Sequence, residues 1–275
     1  MTVPRRAARL PGFGLSLGVT LAALAFSVLI PLSALLLAVL RLDVATVRRV
    51  ASDPRVLAAV HLSLGTALAG AGAAALVGLL LAWVLVRYRF PLRRAIDALV
   101  DLPFALPTAI AGIALTTLWA PTGWLGRPLA ALGVNVAFTP LGIALALLFL
   151  GLPFAVRTLQ PVLEGLDPEV EEAAASLGAS RLDVFRRVLL PEIVPPGITG
   201  FTLALARGLG EYGSVVFISG NLPMRTEVAP LLVMAKLEQY DVASATALAA
   251  LLLALSFVLL FAASRLEAWS AKGGR

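Results

Sequence analysis

The chain contains no cysteine, a single histidine and few charged residues, since only 14% of its 275 residues are Asp, Glu, Lys or Arg. The lack of cysteine excludes disulfides, thiolate catalysis and cysteine-ligated metal sites. The shortage of charge is more informative, because a water-soluble domain carries about a quarter charged residues. With 60% hydrophobic residues, the chain cannot cover its whole surface for water, so part of its surroundings must be lipid.

Positively charged residues outnumber negatively charged ones, with 22 Lys and Arg against 16 Asp and Glu. Such an excess can indicate a nucleic-acid partner. In a membrane protein it marks the cytoplasmic ends of the spans, and the positions described below favour this interpretation, so we expect no nucleic acid. The chain also lacks the GxxxxGK[ST] sequence that holds nucleotide phosphates, and we expect no cofactor bound to it.

Six apolar stretches are long enough to cross the hydrocarbon core as helices, which takes about 20 residues. They lie at approximately 13–40, 58–86, 96–119, 137–156, 197–218 and 243–264. The first resembles the start of a signal peptide but is too long for one, and we expect an uncleaved span. The sequence therefore predicts an all-α polytopic membrane helix bundle with six transmembrane helices.

Small residues and prolines distinguish two of these stretches. The second is rich in glycine and alanine, which let helix backbones approach closely in lipid, so we expect it to be packed on several sides. The third contains Pro103 and Pro107, each of which removes a backbone donor and predicts a kinked helix inside the bundle.

The distribution of Lys and Arg predicts the orientation of the bundle. Six spans place both termini on one side, and assigning that side to the cytoplasm puts fourteen of these residues inside and seven outside, with Arg207 within a span. The positive-inside rule therefore predicts cytoplasmic termini. Segment 41–57, which carries four of the outer arginines, is expected to form a short external amphipathic helix.

A charged segment at 167–191 interrupts the apolar pattern on the predicted inner side. Asp167-Pro168-Glu169 is typical of a helix start, with an aspartate cap, a proline in the first turn and an acidic residue near the positive end of the helix dipole. The apolar residues that follow fall on one helical face: Val170, Ala173, Ala174 and Leu177. Gly178 predicts the end of this helix.

A second short helix is predicted directly after the first. Ser180 and Asp183 have the spacing of a capping box, and Pro191 is expected to end the helix. A DNA-binding helix-turn-helix is disfavoured, because membrane spans hold the unit at both ends and keep it from lying along a major groove. A structural hairpin remains an alternative to a docking surface for a cytosolic partner, which the small and acidic residues favour.

The same segment resembles the EAA loop of ABC-importer permeases, in which EAA is followed by three residues, Gly, nine residues and Ile-x-Leu-Pro. The matching positions are Glu172, Ala173, Ala174, Gly178, Val188, Leu190 and Pro191. Val188, in place of the usual Ile, is the one departure. The resemblance implies a type I importer permease whose loop forms coupling helices that sit in a cleft of an ATPase subunit.

The resemblance also implies a division of the chain and a compartment. Residues 56–265 would form the permease core, preceded by an N-terminal span with a short external segment at 1–55 and followed by a cytoplasmic tail at 266–275. The protein would lie in a bacterial cytoplasmic membrane. It would be a non-catalytic subunit, with ATP bound by the ATPase subunits.

Residues 206–250 resemble the sulfate/thiosulfate importer permeases, in particular their T-type subunit. The part that is more similar to sulfate than to molybdate permeases includes Thr226, Glu227, Pro230, Leu237, Glu238 and Asp241. The implied partners are a W-type permease, two ABC ATPase subunits and an external sulfate-binding protein. A molybdate or tungstate permease is one alternative. An ion-coupled secondary transporter or channel is another, but it would need no docking segment.

Two charged residues, Arg207 and Glu211, are predicted near the middle of the fifth span on one helical face. A charge at that depth costs about 2.5–3.5 kcal/mol on insertion scales unless it is paired or faces water. One interpretation is a structural ion pair. The other is a lining or gate of an anion path, in which Arg207 offsets a dianion and Glu211 holds the arginine.

Glycines around this pair permit a helix break, which is expected at this depth only beside a cavity. We therefore predict that one group of residues forms the substrate pathway or gate: Arg207, Gly210, Glu211, Tyr212 and Gly213.

Overall fold

The computed structural model describes residues 13–273, with side chains to residue 267. The helices are α1 Phe13–Leu40, α2 Val44–Ala51, α3 Pro54–Arg87, α4 Arg93–Val100, α5 Leu102–Ala105, α6 Thr108–Trp119, α7 Gly126–Ala131, α8 Pro140–Gly165, α9 Pro168–Ser176, α10 Arg181–Leu209, α11 Val215–Ser219, α12 Ala229–Glu238 and α13 Val242–Gly273. No strand occurs within the described residues, and the all-α prediction is confirmed.

Within the described residues, five helices are long and apolar enough to cross a membrane: α1, α3, α8, α10 and α13. The third predicted span, 96–119, is instead divided into α4, α5 and α6. Asp101 separates the first two pieces, and Leu106 and Pro107 separate the last two. Leu106 is extended, with φ −87° and ψ 134°, as expected for a residue before proline. The third predicted span is thus a broken segment, whereas each of the other five predicted spans overlaps one long helix.

The fifth predicted span, 197–218, differs at both ends. Helix α10 begins at Arg181 and ends at Leu209, so the prediction that Pro191 ends a helix is wrong. A π-helical turn, Phe185–Leu189, ends two residues before this proline. The wider turn alters the local hydrogen-bond pattern, so that a residue without an amide hydrogen is accommodated within a continuous helix.

Helices α3, α8 and α10 pack on one another at the centre of the bundle through small side chains. A Cβ placed on Gly70 would lie 2.7 Å from Leu147 Cβ, and one on Gly78 would lie 2.5 Å from Ala155 Cβ. A Cβ placed on Gly151 of α8 would likewise lie 3.0 Å from Ala204 Cβ on α10. The expectation that the second span is packed closely on several sides is confirmed.

The N-terminal helices lie outside this centre. None of the 28 residues of α1, all of which the structure describes, is buried. The predicted helix within 41–57 is confirmed as α2, whose Val50 is buried with Val56 and Leu248. The division into 1–55, 56–265 and 266–275 stays a prediction, and its ends at 1–12 and 274–275 lie outside the described residues.

We expect the contact between α3 and α8 to limit stability at Gly78. Gly78→Ala should lower the free energy of unfolding by about 1–3 kcal/mol, because its methyl group overlaps Ala155. Gly72→Ala is the matched control, since a Cβ there meets nothing within 4 Å and alanine favours a helix by up to about 1 kcal/mol. Thermal unfolding of the protein in detergent measures both. Equal effects of the two substitutions would contradict the packing described.

Candidate functional site

The local geometry of the charged segment agrees with its sequence. The Asp167 carboxylate accepts a hydrogen bond from the Glu169 amide at 2.9 Å and caps α9. Gly178 has φ +87°, which a residue with a Cβ adopts only under strain. Ser180 and Asp183 form a reciprocal capping box, with the Asp183 amide donating to Ser180 Oγ at 3.2 Å. The first helix, the glycine turn and the second helix start are all confirmed.

Three of the four residues in the apolar stripe of α9 are exposed, and the fourth, Ala174, is half-buried. Of the residues of α9, all of which the structure describes, none is buried. Val170 is 52% exposed and Leu177, just past the helix, is 89% exposed. Glu172 and Ala173 are also exposed. A helix that leaves its apolar stripe uncovered presents a surface suited to another protein.

The remaining motif residues lie in α10, outside the exposed surface of α9. Val188 lies in the π-helical turn of α10, and Leu190 and Pro191 continue that helix. Leu189, between them, is buried in a cluster with Leu163 and other apolar residues. Val188 and Leu190 are half-buried and Pro191 is exposed. The second half of the motif therefore continues α10 beside the bundle, while the first half is exposed in α9 and the turn at Gly178.

The break predicted around the glycines of the fifth span is confirmed, because α10 ends at Leu209. Glu211 consequently lies beyond the helix, and the prediction that Arg207 and Glu211 share a helical face is wrong. The two side chains still form an ion pair, with 2.5 Å between Arg207 Nη1 and Glu211 Oε2. The chain turns after Gly210 in a way that keeps the carboxylate within reach of the guanidinium.

The two partners of this pair differ in exposure. The Glu211 side chain is 2% exposed, and its Oε1 accepts hydrogen bonds from the Ser214 amide at 2.9 Å and from Ser214 Oγ at 3.1 Å. The Arg207 side chain is 38% exposed. Glu211 therefore holds the turn together from inside, while the Arg207 side chain remains partly exposed.

The other predicted pathway residues lie on two different surfaces. Gly213 packs against the side chain of Thr108 at the start of α6. Gly210 and Tyr212 instead line an open groove of about 410 Å³, together with Met234 and residues of α13. The structure thus brings Arg207 and Glu211 together in one turn but does not place all five residues on a common wall.

Sequence reasoning missed the ion pairs that join distant segments, among them those of Arg55 and Arg157. Arg55 binds Glu227 through two contacts of 2.7 Å, from Nε to Oε2 and from Nη2 to Oε1. Arg157 binds Asp97 at 2.7 Å and Asp101 at 2.6 Å, tying α8 to the broken third span. Asp101 within an apolar run was the available signal, because a carboxylate there needs a partner. The pairing of Arg55 explains one of the predicted outer arginines that run against the charge bias.

Comparison with known proteins gives consistent matches. A model of the binding-protein-dependent transport system inner membrane component matches residues 74–272. The sulfate transport system permease protein CysT of Salmonella typhimurium is 47% identical over 258 residues, which is 94% of this chain and 93% of that protein. The protein of the same description from Synechocystis sp. is 44% identical over 251 residues, covering 91% and 88%.

Two solved structures share the fold. One is a bacterial ABC transporter involved in the import of the acidic polysaccharide alginate, with a TM-score of 0.73, 17% identity and coverage of 93% of this chain and 95% of that one. The other is the inward-facing MetNI methionine ABC transporter, with a TM-score of 0.60, 18% identity and coverage of 78% and 95%. At these identities the likeness shows the architecture alone.

Proposed function

Because the chain belongs to the family of inner membrane components of binding-protein-dependent transport systems, we propose that it is a permease subunit of an ABC importer for sulfate. It is a multi-pass protein of the inner membrane. The observation that carries the transport class is α9, a capped and exposed helix with the EAA pattern at the end of a bundle of this fold. The 47% identity to a sulfate permease, over 94% of this chain, supports sulfate as the substrate.

The proposed assembly supplies the ATP-binding subunits, the second permease and the anion-delivering protein. ATP binds to two partner ATPase subunits, a second permease of the W type completes the membrane pathway, and an external sulfate-binding protein delivers the anion. When ATP closes the ATPase pair, α9 moves with the subunit that holds it. The spans then pass from an inward-open to an outward-open arrangement, which is alternating access.

Small side chains in the docking surface allow the ATPase subunit to approach closely. Ala173 and Ala174 add little volume, Glu172 offers a charge at the exposed face, and the left-handed Gly178 sets the angle to α10. Movement of α9 reaches the membrane because α8 precedes it and α10 follows it, each after a connection of only a few residues.

Arg207 is the residue we propose for the anion pathway. Its partly exposed side chain offers a positive charge at a depth where an uncompensated dianion would be costly. Glu211, buried and bound to Ser214, holds the guanidinium in place. Gly210 and Tyr212 lie where the helix is interrupted, and Gly213 allows the turn to press against Thr108. Together these residues form the proposed gate.

Molybdate and tungstate are also tetrahedral dianions, so the uptake test must distinguish their import from that of sulfate. We expect the complete complex to support labelled-sulfate uptake in a strain that lacks its own importer. Excess thiosulfate should compete, whereas molybdate should compete weakly. Stronger competition by molybdate than by sulfate would replace the proposed substrate, and no uptake of either with all subunits present would contradict the function.

In the same strain, Gly178→Val should uncouple the permease. A side chain at this φ costs about 1–2 kcal/mol and changes the angle between α9 and α10. We expect uptake to fall about tenfold, the equivalent of roughly 1.4 kcal/mol, with reduced co-purification of the ATPase. Gly165→Val is the control, because a Cβ there meets open space. Normal uptake and co-purification in Gly178→Val would contradict the docking role.

Double substitution at Arg207 and Glu211 separates folding from transport. Removing one partner leaves an unpaired charge and should destabilise by about 3–5 kcal/mol. Arg207→Met with Glu211→Gln removes both charges and keeps an oxygen for Ser214, so stability and ATPase binding should largely return. Sulfate uptake should not return, because the pathway has lost its positive charge. Near-wild-type uptake would show that the pair has only a structural role.

The proposed orientation places α9 and both termini in the cytoplasm, on the basis of the arginine asymmetry. Because the chain contains no cysteine, single cysteines report sidedness directly. A membrane-impermeant maleimide added to intact spheroplasts should label Asn135→Cys and leave Ser180→Cys unlabelled until the membrane is opened. The opposite pattern would reverse the orientation.

A further inference from the structure

Among the described residues, one ion pair links the docking helix α9 to a membrane span. The Arg87 Nη2 atom lies 2.5 Å from Glu171 Oε1, and both side chains are about three-quarters covered, with exposures of 23% and 25%. Arg87 is the last residue of α3. Since α9 buries none of its residues, all of them described, this pair provides a direct side-chain link between the docking helix and a central span.

Two aromatic side chains in edge-to-face contact extend the link to a second span, α10. The Arg87 guanidinium lies over the Trp83 ring, 5.2 Å from its centroid. Trp83 in turn meets Phe185 edge to face, with 6.2 Å between ring centroids. Phe185 begins the π-helical turn of α10. The series Glu171, Arg87, Trp83 and Phe185 therefore joins α9, the end of α3 and the start of α10.

The ion pair at Arg87 is only half formed. The Arg87 Nε atom is buried and finds no hydrogen-bond partner among the described residues. Arg55 shows the complete arrangement in the same chain, because its Nε and Nη2 each bind one oxygen of Glu227 at 2.7 Å. A buried donor without a partner is unfavourable, so a small movement of α9 that brings the second Glu171 oxygen to Nε would be favourable.

We propose that Arg87 is the positioning residue through which α9 moves the spans, and that Glu171 changes from one contact to two as the transporter changes state. This inference rests on the proposed function. A guanidinium suits the role better than an ammonium, since its planar fork can stack on Trp83 while binding a carboxylate side-on. Helix α3 transmits the movement because Gly70 and Gly78 leave no space between it and α8.

The test uses the complete importer in membranes and measures ATPase co-purification, ATP hydrolysis and sulfate uptake. Arg87→Gln and Glu171→Gln should each retain the bound ATPase but lower the sulfate moved per ATP hydrolysed by about tenfold. The double variant should be no worse than either single variant, because both remove the same contact. Arg89→Gln is the matched control, as Arg89 is exposed and two residues away, and it should behave as wild type.

Arg87→Lys keeps the positive charge, so it distinguishes a loss of coupling from a folding defect in Arg87→Gln. It should restore membrane abundance but not the full ratio of sulfate to ATP, because lysine cannot bind side-on and stack at once. A purely structural role would lower abundance and leave that ratio unchanged, and this outcome would overturn the proposal, as would additive losses in the double variant. Failure of the wild-type complex to import sulfate would instead contradict the proposed function.

Discussion

Close contact between the backbones of α3, α8 and α10 determines where both candidate sites lie. Lipid gives helices no hydrophobic reason to associate, so van der Waals packing of small residues is a main source of their attraction. Gly70, Gly78 and Gly151 allow this approach. Helix α8 then leads directly into α9, and α10 leads out of it towards the turn at Glu211, so the docking surface and the proposed gate are ends of the same packed helices.

Buried charge within the described part of the bundle is paired with the opposite charge. Glu227, Glu211 and Asp101 each bind an arginine, and the two glutamates are almost fully buried. Arginine can contact a carboxylate with two donors, which offsets more of the cost of removing it from water. The pairs lie where a helix breaks or a loop meets a span, so they fix the irregular parts of the chain, which the packing of small residues alone does not hold.

Local features could be read from the sequence because neighbouring residues determine them. The cap at Asp167, the left-handed Gly178 and the capping box of Ser180 each depend on contacts within a few positions. The ion pairs could not be read in this way, since Arg55 and Glu227 are 172 residues apart and Arg87 and Glu171 are 84 apart. Pro191 was misread because a π-helical turn, which leaves no clear pattern in composition, precedes it.

Helix α1 leaves the ribosome before the other described helices, and none of its residues, all of which are described, depends on a later one for burial. It can therefore enter the bilayer alone and hold the growing chain there. Helix α10, in contrast, carries Arg207 and is synthesised just before the glutamate that neutralises it. Its release into lipid must wait for a few further residues. Biosynthesis thus proceeds from a helix without buried residues to one whose charge is neutralised by a residue just beyond its end.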